Sequence, residues 1–362
     1  MKRKIWMNLA FQLGSLVAAV LITTLILLAV GAPPFKAYAS ILKGAFGSLN
    51  NLESLLISWS PLLLTTAGVL ITFSAGLWNI GVEGQMTLGA IFTTGILRLF
   101  QDSGLPPSLI IFLGIAAGIL GGAIWGGLAG ALKTFGGVNE IFGGLGLNFI
   151  STALTIYLVF GPWKRPGTGS MSGTQPFERV LWLPSLPNME LSLWALGLSI
   201  LAIVLVYFLL RGTHLGLRLK AVGRNPKAAH LMGVPTWQYS LFAFLLCGAL
   251  VGLAGAIQVT SVYHRLLPNI SGGYGFLGLL VAMLVNYQAI WAAPVAFFFA
   301  ALNTGSVQLQ LLYKLDSSFS GVLQSLLVLL VLLGEGARQR FGIRNGVRAS
   351  KELEPPWKQA SS

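Results

Sequence analysis

Charged side chains are scarce in this sequence. Asp, Glu, Lys and Arg make up 9% of the 362 residues, whereas soluble globular proteins carry about 25%. Hydrophobic residues make up 55%, and the mean hydropathy is +0.77. Because so few charges cannot cover a water-soluble surface, the composition indicates a membrane protein. It also excludes intrinsic disorder, since disordered chains are charged and poor in apolar residues.

Cysteine is almost absent as well, and one thiol excludes a disulfide scaffold. Cys247 lies in an apolar run and is expected to be an inert packed thiol. None of the three histidines shows metal-ligand spacing with Cys, Asp or Glu, so no metal site is expected. No acidic partner or nucleophile elbow accompanies a serine and a histidine. A membrane-embedded enzyme is therefore disfavoured.

The positive charge follows the chain's topology. The net charge is +13, but the basic residues cluster at the chain ends and in one loop, with long uncharged stretches between them. Basic residues beside membrane spans set orientation, so this pattern favours a membrane topology and no nucleic-acid partner.

The uncharged stretches predict an all-α, polytopic membrane protein with about ten transmembrane helices, because a spanning helix needs about 20 apolar residues. Residues 1–335 form the predicted transmembrane domain and residues 336–362 a basic cytoplasmic tail. With both termini placed in the cytoplasm, 15 Lys and Arg lie inside and 8 outside, which supports that orientation. The predicted spans are 9–31, 54–76, 85–100, 109–132, 139–160, 192–210, 237–259, 274–288, 291–308 and 318–334.

Glycine is abundant and falls inside the predicted spans. Gly114, Gly118, Gly122, Gly126 and Gly130 recur every four residues, and Gly248, Gly252 and Gly255 follow a similar spacing. These spacings place the glycines on one helix face, where two backbones can approach closely. Tight helix packing is the favoured interpretation, although helices that slide against each other would show the same pattern.

Polar residues interrupt the apolar sequence between the second and third predicted spans. Four glycines in the stretch 76–90 weaken helix continuity there, and Asn79, Glu83 and Gln85 add polar groups. Such residues in a membrane are functional candidates, and a broken helix is tolerated only inside protein or beside a cavity. We predict that these three residues, with Asn139 and Asn148, line or shape a translocation pathway. Three alternatives stay open: a tight cytoplasmic turn with Glu83 in water, Glu83 as a hydrogen-bonding brace of the broken helix, and Asn139 as a helix cap.

The coupling segment, residues 211–236, is a basic and largely polar loop on the predicted cytoplasmic side. Asn225 and Pro226 suit the cap and first position of a short helix over 227–232, which Gly233 would end. This helix could fit a groove on a soluble partner and transmit motion, or it could lie at the lipid surface. On the opposite side, the outer connection, residues 161–191, is either a docking surface or a plain connector.

Two motifs carry a resemblance to a known family. Residues 221–233 (AVGRNPKAAHLMG) resemble the cytoplasmic coupling segment of bacterial ABC importer permeases of the branched-chain amino acid, ribose-type sugar and nucleoside group. Residues 79–85 (NIGVEGQ), together with the Val-Asn-Glu-Ile run at 138–141 and Leu147-Asn148, are similar to the nucleoside and simple-sugar branch. The resemblance covers about residues 55–335.

The resemblance implies a type II-like permease fold in the bacterial cytoplasmic (inner) membrane. It implies a second permease subunit, which is often a different chain, a cytoplasmic ABC ATPase, and an extracytoplasmic substrate-binding lipoprotein. ATP and Mg would then bind the ATPase subunit, with no cofactor in this chain. The coupling contact would be made by Gly216, Arg218, Gly223, Arg224, Asn225, Pro226, Ala228, Ala229 and Gly233.

The sequence agrees with this division of labour, because it contains no phosphate-binding loop of the form Gly-x-x-x-x-Gly-Lys-Ser/Thr. The chain is therefore predicted to be a non-enzymatic permease subunit that imports a small polar nutrient, with nucleosides as the first candidate and simple sugars as the second. A secondary transporter driven by protons or sodium, with Glu83 and Glu140 as coupling groups, is a competing hypothesis. It predicts paired broken helices, and the sequence has one clear break.

Overall fold

The structure is a computed structural model that describes residues 17–18, 20–29, 31–167, 173–187, 189–285 and 288–313, and parts of 321–333. Throughout these residues the secondary structure is helical, with no strand, as predicted. The helices are α1 (Val20–Ala29), α2 (Pro34–Phe46), α3 (Leu49–Ser74), α4 (Val82–Phe100), α5 (Pro107–Thr134), α6 (Glu140–Phe160), α7 (Leu193–Gly212), α8 (His214–Arg224), α9 (Pro226–Leu231), α10 (Thr236–Ile257), α11 (Tyr274–Leu284) and α12 (Ala289–Tyr313).

Six of the described helices, α3, α5, α6, α7, α10 with its extension, and α12, are long and apolar enough to cross a membrane. The bent pair α1 and α2 could form a seventh span. The chain is therefore a multi-pass membrane protein, and the count of ten stays a prediction. The predicted helix over 318–334 and the start of the one over 9–31 lie largely outside the described residues.

Helices α2 and α11 differ from the predicted spans, and α8 lies in a segment that was predicted to be a loop. Helix α2 was expected to be a connection, but Pro34 provides a preset first position from which a helix can start. Helix α11 begins where predicted, at Tyr274, but has only 11 residues. It rises about 16 Å, which is about half of the hydrocarbon thickness. In addition, α10 continues through a π-helical turn, Gln258–Val262.

The chain divides into two compact units, Leu42–Gly305 and the pair of terminal segments Met1–Ile41 and Ser306–Ser362. Within the terminal unit, the Tyr38 hydroxyl lies 3.0 Å from Thr24 Oγ1 and donates to the Val20 carbonyl. The site described below lies entirely within the larger unit.

Helices α3, α4, α5 and α10 form the centre of the larger unit. The predicted tight packing at the glycine faces is confirmed, because the glycines of α5 and α10 meet in a glycine seam. A Cβ atom added to Gly122 would lie 2.2 Å from the Gly248 carbonyl oxygen, and one added to Gly252 would lie 2.3 Å from the Gly118 oxygen. Since these neighbours are backbone atoms, the two helices pack directly against each other.

Candidate functional site

The interrupted segment, residues 75–81, separates α3 from α4 and confirms the predicted helix break. Gly76 has a φ of +71°, a conformation that favours glycine. Farther along, Asn79 Nδ2 lies 3.1 Å from Cys247 Sγ. Because Cys247 is eleven residues beyond the start of α10, this contact is about 16 Å along that helix. The segment therefore reaches deep into the helical bundle.

Asn79 and Gln85 form a closed pair of amides across this break. The Asn79 side chain donates to Gln85 Oε1 at 3.1 Å, and the Gln85 side chain donates back to Asn79 Oδ1 at 3.1 Å. Both side chains are fully buried. Buried amides are costly unless they are paired, so this reciprocal arrangement holds the interrupted segment against the first turn of α4.

Asn148 reaches the same break from α6. Its Oδ1 accepts from the Gly84 amide at 2.8 Å, and its Nδ2 donates to the Ile80 carbonyl at 2.9 Å. One side chain thereby satisfies a free amide of the α4 N-terminus and a carbonyl of the interrupted segment. Gly144 allows this approach, because a Cβ atom there would lie 2.6 Å from the Gly81 nitrogen.

Glu83 joins the start of α4 to the start of α11. Its Oε1 accepts from the Phe276 amide at 3.0 Å, and the Gly275 amide and Ser271 hydroxyl also hydrogen-bond to the carboxylate. Glu83 is 9% exposed. A carboxylate placed at the free amides of a helix N-terminus is stabilising, so the structure favours the brace over the solvent-exposed turn.

Asn139 does not join this group. It is exposed and caps α6, with its Oδ1 accepting from the Ile141 amide at 2.9 Å. Glu140 beside it forms a salt bridge with Lys133. Thus four of the five predicted pathway residues, Asn79, Glu83, Gln85 and Asn148, meet at the break. Their contacts brace the backbone, and a role in lining a pathway stays a prediction.

The coupling segment folds into two short helices: α9 has the predicted Asn225 cap, whereas α8 and its Thr213 cap were not predicted. Thr213 Oγ1 accepts from the Gly216 amide at the start of α8, and Asn225 Oδ1 accepts from the Ala228 amide at 3.0 Å at the start of α9. Gly233 follows α9 with a φ of +81°. Arg218 donates to the Tyr239 hydroxyl at 2.8 Å and ties α8 to α10.

The outward surface of this segment is mixed in character. Arg224, Asn225, Pro226 and Ala228 are exposed, whereas Ala229 is buried. Two large apolar side chains, Leu231 and Met232, are 87% and 85% exposed. Contiguous exposed apolar groups with polar neighbours are typical of interaction surfaces.

A backbone contact connects the coupling segment to the interrupted segment. A Cβ atom on Gly76 would lie 2.9 Å from the Gly223 Cα, and one on Gly223 would lie 2.4 Å from the Ser74 carbonyl oxygen. The two stretches therefore touch without intervening side chains. A cavity of about 340 Å³ opens here, and its walls include Gly76, Lys133, Glu140, Gly223, Pro226 and Trp237.

An aromatic cluster that the sequence did not indicate forms where the outer connection packs on the end of α10. The rings of Trp182 and His264 stack at 3.5 Å, and Arg179 lies over the Trp182 ring. Burial lowers the pKa of His264 below its ordinary value. The Phe177 and Leu183 amides donate to backbone carbonyls of His264 and Thr260. These contacts are remote in sequence, so no local signal could have indicated them.

Because Asn79 and Gln85 are paired, we expect substitutions at these two residues to have non-additive effects on stability. We expect Asn79→Ala and Gln85→Ala each to destabilise the protein, because each leaves the other amide buried and unpaired. The double variant should lose less than the sum, with an interaction energy of about 1–2 kcal/mol. Thermal unfolding in detergent measures this cycle, and Asn79→Ala combined with Asn139→Ala serves as the additive control. Additivity in the first cycle would contradict the pairing.

The sequence is similar to those of several known transport proteins. The glucose ABC transporter permease protein TsgB13 of Haloferax volcanii is 29% identical over 349 residues, which cover 93% of this chain and 91% of that protein. Two nucleoside ABC transporter permease proteins of Lactococcus lactis are also similar. NupB is 28% identical over 81% of this chain and 82% of its own length, and NupC is 27% identical over 77% and 90%.

The family model described as the permease component of branched-chain amino acid transport systems matches residues 51–332. That range covers the braced break, the coupling segment and the glycine seam. The chain therefore belongs to this family of ABC transport permeases, the membrane components of their transport systems.

Proposed function

We propose that this chain is the permease subunit of an ATP-driven importer and that it carries a nucleoside across the membrane. The observation that carries the proposal is the backbone contact of Gly76 with Gly223, which joins an exposed, capped helix pair to a break deep in the bundle. A movement imposed on the coupling segment would reach the interior without passing through flexible side chains. An importer driven by an ATPase that is bound at the cytoplasmic surface needs such a connection.

The substrate proposal rests on relatives and on the motif at 79–85. Two similar proteins of Lactococcus lactis are nucleoside permeases by name, and this supports a nucleoside. A simple sugar is the second candidate, since TsgB13, a glucose permease by name, matches 93% of this chain. Both classes are small, polar and rich in hydroxyl groups.

The partners follow from this assignment. ATP and Mg would bind an ABC ATPase docked on α8 and α9, where Leu231 and Met232 would enter an apolar groove and Arg224 would lie at its rim. A substrate-binding lipoprotein would deliver the nucleoside on the other side. The second permease would be a different chain, which the similarity to both NupB and NupC of one organism supports.

The braced residues would shape the pathway indirectly. Asn79, Glu83, Gln85 and Asn148 would fix the interrupted segment, whose backbone would face the pathway, while Asn139 would cap α6 at its margin. The membrane would be the bacterial cytoplasmic membrane, with both termini in the cytoplasm. That orientation puts the coupling segment on the side where ATP is present.

ATP-dependent uptake of radiolabelled guanosine or adenosine tests the function, with the chain co-expressed with its neighbouring transport genes. We expect unlabelled nucleosides to compete and ribose and glucose to leave uptake unchanged. Replacing Arg224, Asn225 and Pro226 by alanine should reduce uptake at least about tenfold, because the exposed cap of α9 is lost. Replacing the exposed residues 101–103 by alanine is the matched control and should leave uptake unchanged.

Each outcome of this assay bears on a separate part of the proposal. Competition by glucose or ribose would keep the importer and change the substrate to a sugar. Equal uptake in the two alanine variants at equal expression would overturn the assignment of the coupling contact.

A further inference from the structure

Two helices of the larger unit begin inside the bundle, and their amide ends meet at one side chain. Helix α4 starts at Val82 after the interrupted segment, and α11 starts at Tyr274 after the α10–α11 loop, residues 263–273. Thr65 donates to the Tyr274 carbonyl at 3.2 Å. Because Thr65 lies nine residues before the end of α3, α11 starts about 14 Å along that helix from the interrupted segment.

The Glu83 side chain forms a polar contact between these two helix starts. The carboxylate belongs to the first turn of α4 and accepts from amides of Gly275 and Phe276 in the first turn of α11. The two helix starts are in close contact, since a Cβ atom on Gly275 would lie 2.9 Å from Glu83 Oε1 and 2.9 Å from the Glu83 nitrogen. The start of α11 therefore cannot shift along α4 without breaking hydrogen bonds to a carboxylate, which are among the stronger ones.

The same chain segment touches the coupling segment at its other end. Gly76 contacts Gly223 of α8, and only the interrupted segment separates Gly76 from Val82. That segment is itself fixed, by the Asn79–Gln85 pair and by Asn148. A continuous series of short contacts thus runs from α8, through the interrupted segment and Glu83, to α11 and the α10–α11 loop.

We propose that Glu83 is a positioning residue that transmits displacement of the coupling segment to the α10–α11 loop by holding the first turn of α11 against the first turn of α4. This inference rests on the proposed function, in which the coupling segment is moved by an ATPase. It adds to that function the connection through which the side of the bundle with the α10–α11 loop would open or close. Glu83 acts through α11 and needs no contact with the substrate.

The test uses the complete transporter, with its ATPase and receptor, in proteoliposomes. Asn269 in the α10–α11 loop is exposed and is replaced by cysteine, while the native Cys247 is fully buried. The rate of labelling by a membrane-impermeant maleimide is compared without nucleotide and with ATP plus vanadate. With Glu83 present, we expect the two rates to differ by at least about fivefold.

Glu83→Ala should bring the ratio of the two rates close to one and lower the nucleoside carried per ATP hydrolysed about tenfold. Glu83→Gln keeps one carbonyl acceptor for the Phe276 amide and should retain an intermediate ratio. This variant also covers the case in which Glu83→Ala does not assemble. Glu53→Ala is the matched control, because Glu53 likewise accepts from two amides, of Glu190 and Leu191, but lies outside the series of contacts.

Two results have distinct meanings. If the protein with Glu83 shows no ATP-dependent uptake, the proposed function itself fails. If that protein transports, but Glu83→Ala and Glu83→Gln keep its labelling ratio as Glu53→Ala does, the function stands and the role of Glu83 is overturned.

Discussion

Replacing Gly248 by alanine in the α5–α10 seam is expected to destabilise the protein more than any other substitution proposed here. The added Cβ would lie 2.2 Å from the Gly122 carbonyl oxygen and 3.1 Å from the Ala123 Cα. Both are backbone atoms, so no side-chain rotation relieves the overlap and the helices must move apart. Overpacking of this kind costs about 1–3 kcal/mol, and more where backbones clash. We expect a loss of at least about 3 kcal/mol.

Thermal unfolding followed by size-exclusion chromatography in detergent measures this effect. Gly197→Ala is the matched control, because Gly197 lies within α7 and a Cβ atom there would meet no atom within 4 Å. Alanine favours a helix interior by about 1 kcal/mol over glycine, so this variant should be neutral or stabilising. Equal losses in both variants would contradict the close approach of α5 and α10.

Replacing Asn148 by leucine is expected to have the second-largest effect. Leucine has a similar volume but leaves the Gly84 amide and the Ile80 carbonyl without the hydrogen bonds that Asn148 provides. Each unpaired buried group costs about 1–3 kcal/mol. We therefore expect a loss of about 2–6 kcal/mol, together with loss of transport, because the interrupted segment would no longer be fixed.

Asn139→Ala separates this effect from ordinary helix capping. Asn139 also bonds a backbone amide near the start of a helix, but it is exposed and bonds only the Ile141 amide within its own helix. Loss of such a cap costs about 1 kcal/mol. Unfolding in detergent and nucleoside uptake would both be measured. If the two variants lost stability to the same extent, Asn148 would be only a local polar residue without the bridging role.

Local sequence signals predicted much of this architecture. The caps of α9 were predictable because Asn225 and Pro226 act on their own helix. The glycine seam was predictable because a four-residue spacing places small residues on one helix face. The break between α3 and α4 was indicated by glycines and polar residues in an apolar context.

Contacts between distant residues could not be predicted in the same way. Nothing near Glu83 in the sequence indicates that its partners are amides of Gly275 and Phe276. The contact of Gly76 with Gly223 is equally remote, and it depends on how α3 and α8 pack. For the same reason, the sequence indicates the polar residues of the break as functional candidates but does not indicate their partners.

The start of α11 inside the bundle bears on the competing hypothesis of an ion-coupled transporter. The sequence offered one clear break, and a pair of breaks was the expected mark of an ion-coupled transporter. The structure contains a second helix, α11, that starts inside the bundle. Glu83 faces its amides, and Glu140 is bound to Lys133. Both carboxylates therefore have partners that brace the fold, and neither contact favours an ion-coupling role.

The source of energy is the central claim, and nucleoside uptake in cells tests it most directly. One strain carries an ATPase subunit whose phosphate-binding lysine is replaced, and another carries the intact ATPase with its proton and sodium gradients collapsed by ionophores. We predict that uptake is lost in the first strain and persists in the second while ATP is maintained. Uptake that survives without ATP hydrolysis but disappears with the ion gradients would contradict the account and indicate a secondary transporter.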